Sequence, residues 1–146
     1  MIAVMGVEPT GFELRDHTAD IALYAWGDSL EGLFRAAAEG LYATIGELEA
    51  SDTNQNETLR LGGNDVNDLL HDFLMELLYR FETQALHLSN FAFERLSDRE
   101  LVATATVGQV DPKASIFDRE VKAVTYHDLN VLHRDNRYEV TIILDI

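Results

Sequence analysis

Apolar residues change their spacing several times along the chain, and each change marks an element. Phe12 to Arg15 and Ile21 to Trp26 read as two extended pieces hinged at the polar segment His17 to Asp20. Leu30, Leu33, Phe34, Ala37, Leu41 and Ile45 then recur at helical spacing, with Asp28 as the expected N-cap, Glu31 three residues later and Gly46 as the stop. Residues 47–56, acidic and polar with no period, are expected to form a loop, and a short strand from Glu57 to Leu61 ends at Gly62-Gly63. A second helix begins near Asn64 or Asp65. Its wide apolar stripe is Val66, Leu69, Leu70, Phe73, Leu74, Leu77, Leu78 and Phe81, which leaves His71, Asp72 and Glu76 on a solvated face. After Thr83 the pattern alternates. Leu88 to Leu96 and Glu100 to Val110 flank Ser97-Asp98-Arg99 as one hairpin, and Val121 to Leu132 and Arg137 to Asp145 flank His133 to Asn136 as a second. Between the hairpins, Asp111 to Asp118 reads as a loop.

Strands, helix, strand, helix and then hairpins predict an α+β fold, with two helices packed on one face of a mixed or antiparallel β-sheet. At 146 residues the chain suits one domain, expected over 11–146 after a flexible leader over 1–10. No apolar run approaches the ~20 residues of a spanning helix, and the first ten residues lack a basic, long-apolar signal sequence. No membrane association and a cytoplasmic location are expected. The chain has no cysteine, which removes disulfides, thiolate metal sites and cysteine nucleophiles. Twenty-six acids against eleven bases give a formal charge of −15, and only Lys113 and Lys122 are lysines. Such a surface repels phosphate backbones, so direct nucleic-acid binding is not expected. The charge either serves solubility or steers the protein to a basic partner or a metal ion.

Phosphate-binding glycine loops, the HExxH zinc motif and an anchored serine triad are all missing from the sequence. Carboxylate chemistry remains. Asp16, His17 and Asp20 converge if their hinge curls, and oxygen-rich sites with one imidazole suit Mg2+, Ca2+ or Mn2+. The same residues also fit a plain turn capped by Asp16 and Thr18. Asp145 ends an apolar strand and is expected to be buried, where a carboxylate needs donors, a cation or a metal. Lys122 interrupts another β-branched run, and it serves either as the structural partner of Asp145 or as a functional cation.

Four motifs in order, HTADIALYAWGDSLEGLF, DLLHDFLMELLYRF, VKAVTYH and the terminal ILDI, resemble the archease family from about Phe12 to Ile146. The resemblance implies a protein cofactor rather than an enzyme. Archeases promote guanylylation and turnover of the RtcB-type RNA-splicing ligase, which joins tRNA halves through a GMP-linked histidine and Mn2+. It also implies a divalent-metal site (Ca2+, Mn2+ or Mg2+) at Asp20 and Asp145, with the Ile146 carboxylate and His17 as further ligands. Lys122 matches the family's important lysine, expected to act in ligase activation or contact. Two other functions compete with this one. A metal-dependent phosphoester hydrolase would use Asp20 and Asp145 as ligands and His17 or His127 as acid or base. A chaperone for a tRNA-modifying enzyme would need neither acid.

Overall fold

The two extended pieces expected at the N-terminus are strands β1 (Gly11–Asp16) and β2 (Asp20–Gly27), and they pair antiparallel from Gly11 opposite Trp26 to Asp16 opposite Ile21. The computed structural model describes residues 8–16 and 19–146. Helix α1 (Leu30–Ile45) and strands β3 (Gly46–Glu47) and β4 (Ala50–Gly62) follow, then helix α2 (Val66–Gln84). The remaining elements are β5 (Leu86–Leu96), β6 (Glu100–Val110), β7 (Ile116–Phe117), β8 (Ala123–Val124), β9 (Leu132–Arg134) and β10 (Arg137–Asp145). The fold is α+β, and every described strand pairing is antiparallel. The strands form two larger sheets, one ordered β1-β2-β10-β8 with β9 also on β10, the other β4-β6-β5, and β3 and β7 form a small pair.

One core joins the sheets through the helices. Eleven of the sixteen residues of α1 are buried, so this helix is wrapped nearly all round. It packs on β2 and β1 on one side, and it reaches the other sheet through Phe34 against Phe93 and through the Tyr42 hydroxyl, which accepts the Leu88 N–H at 3.0 Å. Gly40 is the point of closest approach to the first sheet, because a Cβ there would overlap the Leu23 side chain. Burial pushes the Tyr42 phenol up to about 12. Helix α2 is one-sided, with Leu69, Leu70, Phe73, Leu74, Leu77 and Leu78 buried as the stripe predicts.

Several boundaries differ from expectation. The N-cap of α1 is Ser29, whose hydroxyl accepts the Gly32 N–H at 3.0 Å, and not Asp28. One residue of shift places the serine at the position whose side chain meets the third amide of the helix. Gly46 does end α1, and any Cβ there would collide with the Ile116 carbonyl of β7. Of the loop expected over 47–56, residues 50–56 form the first half of β4, a sheet edge paired with β6 and broken by a bulge between Asp52 and Gln55. Its side chains are almost all exposed at that end, so backbone pairing rather than apolar alternation makes the strand, and acids at an edge discourage pairing with other chains. The strand expected from Val121 to Leu132 is mostly irregular: only Ala123–Val124 and Leu132–Arg134 pair with β10. The second hairpin turn is real, with Asp135 and Asn136 both at positive φ, which matches a two-residue turn between right-twisted strands. Of the leader expected over 1–10, residues 1–7 lie outside the described residues.

Candidate functional site

Asp20 opens β2, Asp145 closes β10, and the register sets the two opposite each other. Directly opposed residues of an antiparallel pair share a face, with Cβ atoms about 4.5–5.5 Å apart. Period-two alternation decides which face. Val140, Ile142 and Leu144 take the core side of β10, so Asp145 falls on the outer side with Thr141 and Ile143. Asp145 is therefore exposed, not buried as expected, while Asp20 is half-buried and Ile146 turns back to pack against the core. The apolar run around Asp145 belongs to the opposite face of its strand.

Lys122 joins this end of the sheet through its main chain. Its N–H donates to the Asp145 carbonyl at 2.7 Å, just before β8 begins, and its side chain is exposed. Among the described residues no ion pair links its ammonium to Asp145. The irregular segment around it is held by one stripe of α2, at intervals of four residues. Asn67 accepts the Val131 N–H through Oδ1 (2.8 Å), His71 donates from Nε2 to the Val124 carbonyl (2.8 Å), and the Met75 sulfur accepts the Val124 N–H (3.4 Å). His71 also stacks on Tyr126 with ring centroids 3.7 Å apart, and its Nδ1 lies 3.0 Å from Asp72. The face expected to be solvated at His71 is thus a docking stripe. Sequence reasoning passed over it because a polar residue beside an apolar stripe looks the same whether water or a neighbouring loop covers it.

The other flank of the acid pair is tied to α1. No basic residue occupies the last turn of α1, and Arg119 supplies the charge from outside, its guanidinium 3.4 Å from the Thr44 carbonyl. Cations at a helix C-terminus are favourable. The same guanidinium lies 3.7 Å from Asp16, at the end of β1. Farther along the outer face, Tyr24 donates to Glu139 (2.9 Å), and Arg134 and Arg137 also reach that carboxylate. Burial raises the Glu139 pKa, but the tyrosine hydrogen bond and the two arginines outweigh it and hold the group below its ordinary 4.5.

The structure brings Asp20, Asp145, Ile146 and the Lys122 backbone to one sheet end. His17 lies outside the described residues, and His127 sits in an exposed turn beside Asp128 (3.2 Å). Among the described residues no three acids or histidines converge into a metal-holding group. The two opposed carboxylates are a hard-oxygen donor set, which suits Ca2+, Mn2+ or Mg2+ with the rest of the coordination supplied by water or a partner.

These features define a small α+β domain whose acids meet at the end of an antiparallel sheet. The model of the archease protein family (MTH1598/TM1083) matches residues 12–146, and the chain belongs to this family. It is 34% identical to the archease of Methanopyrus kandleri over 134 residues, covering 90% of this chain and 96% of that protein. It is 31% identical to that of Pyrococcus furiosus over 139 residues, covering 92% and 98%. The solution structure of Methanobacterium thermoautotrophicum protein 1598 superposes with a TM-score of 0.73 at 30% identity, covering 93% of this chain and 99% of that one. The crystal structure of an archease, possible chaperone, from Thermotoga maritima does so with a TM-score of 0.63 at 19% identity, covering 92% and 96%, which shows the shared fold. No helix among the described residues is long and apolar enough to cross a membrane.

Proposed function

We propose that this protein is a non-enzymatic activator of an RtcB-type RNA-splicing ligase in tRNA processing. It acts in the cytoplasm and promotes guanylylation and multiple turnover of the ligase through an acidic rim that binds a divalent ion. The observation that carries the reading is the register of Asp20 opposite Asp145. Two carboxylates on one face repel each other, and a cation between them relieves that repulsion and fixes their geometry. Asp20, Asp145 and Ile146 would hold the ion, with His17 as a further ligand. When bound, the ion would supply positive charge at this end of the sheet. The exposed carboxylate of Asp145 and ammonium of Lys122 can then both reach another protein's surface, the lysine meeting a phosphate or an acid there. An acidic protein approaching the basic mouth of an RNA-binding enzyme is steered by charge, and it need not touch RNA.

The test is single-turnover guanylylation of a purified RtcB-type ligase from the same source with GTP and Mn2+, adding the native chain or its Asp145→Ala variant. Acceleration by the native chain alone is expected. Equal acceleration by both removes the metal rim from the mechanism, and acceleration by neither ends the reading. A chaperone role is the second reading, favoured by the description of the Thermotoga maritima archease as a possible chaperone. It predicts suppression of client aggregation that survives Asp20→Ala.

A further inference from the structure

A groove of about 730 Å³ among the described residues is lined by neither member of the acid pair. Its floor is apolar, formed by Leu78 and Phe81 from α2, Phe117 from β7 and Val121. Phe117 is 50% exposed and Ile116 beside it 57%, high values for large apolar side chains that are neighbours in sequence. Successive strand residues face opposite ways, so it is Phe117 that meets the groove, and a large exposed apolar side chain at a concave apolar surface marks an interaction site.

The rim decides what kind of partner fits. Glu82, Asp118 and Glu120 line it and all three are exposed. Arg119, the cation among the groove's lining residues, is turned toward the Thr44 carbonyl and Asp16, so its charge is engaged at the end of α1. The charges left to meet an approaching partner are negative around an apolar floor. The groove and the acid pair are neighbours along the chain: Val121 lines the groove, and the N–H of the next residue, Lys122, donates to the Asp145 carbonyl.

We infer that this groove is the docking site for a surface segment of the ligase that presents apolar side chains framed by lysine or arginine. A segment seated against the paired rings of Phe81 and Phe117, whose centroids lie 6.5 Å apart, brings its owner's surface toward the Asp20 and Asp145 end of the sheet. Apolar contact in the groove supplies affinity, and the acidic rim supplies orientation and speed of encounter. The inference rests on the activator reading, since the acid pair acts on whatever the groove holds.

Binding of the purified full-length ligase is measured by titration calorimetry at low and high salt. The native chain is compared with Phe117→Asp, with the double variant Glu82→Lys and Glu120→Lys, and with Leu132→Asp as a control on a distant exposed apolar residue. Circular dichroism of each variant confirms folding, which these exposed positions should not disturb. Phe117→Asp is expected to weaken binding about tenfold or more, as loss of a central aromatic anchor does. The double charge reversal is expected to weaken it and to flatten its salt dependence. Leu132→Asp should bind like the native chain. Native affinity in both groove variants overturns the docking site and leaves the activator reading intact, whereas a native chain that does not bind the ligase ends both. Sedimentation that shows a native dimer made monomeric by Phe117→Asp assigns the groove to a second copy of this chain and also overturns the inference.

Discussion

Asp20 and Asp145 stand directly opposite each other across the β2 and β10 ladder, and the main chain of Lys122 is hydrogen-bonded to the second of them. Like charges in that relation destabilise a sheet by about 0.2–1 kcal/mol. Asp145→Asn is therefore expected to raise the stability of the metal-free protein by about that amount. Added Ca2+ or Mn2+ should stabilise the native protein and leave the variant unchanged. Thermal unfolding with and without chelator checks both, and a native protein indifferent to divalent ions would count against the rim.

His71 holds the Lys122-bearing segment to α2 by a hydrogen bond and a stacked ring. His71→Ala should cost about 1–3 kcal/mol, because it leaves the Val124 carbonyl without this donor. Hydrogen exchange should show faster opening of residues 121–131 than of the β4, β5 and β6 sheet. His71→Phe, which keeps a ring to stack and loses the donor, should fall between the two in urea denaturation.

Glu139 provides a pH test. Its folded pKa lies below the ordinary 4.5, so its ionised form favours the folded state. The stability it contributes is present above the unfolded value and is lost as pH falls through the folded one. Glu139→Gln should be less stable than the native protein near neutrality, and the gap should close under acid below about 4.5. A constant gap from pH 7 to pH 3 would show that packing, not charge, sets the contribution.

Gly40 lies where α1 meets β2 most closely. Alanine is a better helix former by about 1 kcal/mol, yet its methyl would press on the fully buried Leu23, and overpacking of a core costs about 1–3 kcal/mol. Gly40→Ala is expected to lower stability in a denaturant titration, with Leu23→Ala in the same chain recovering part of the loss that Gly40→Ala adds. Higher stability in the single variant would mean that helix and sheet can move apart freely.

Both helices, the β5–β6 hairpin and the β9–β10 turn follow from local pattern. The apolar stripe of α2 needed no partner to be recognised, because six buried residues at helical spacing already imply one covered face. Asp135-Asn136 announced its turn for an equally local reason: those residues tolerate positive φ. The early half of β4 was illegible because an edge strand with both faces wet carries no alternation, and its existence depends on β6, about fifty residues later in the chain.

The sequence by itself determined the secondary structure of the core, the absence of cysteine chemistry, the large negative charge and the motifs that align with the archease family. Asp20, Asp145 and Lys122 all stand within those motifs. Tertiary structure alone decided that Asp20 and Asp145 share a face, that Asp145 is exposed, and that Lys122 reaches it through the backbone. It also decided that an apolar groove carries an acidic rim. Strand register and the side of a sheet are set by distant pairing partners, and a period-two pattern cannot tell which neighbour a terminal residue meets.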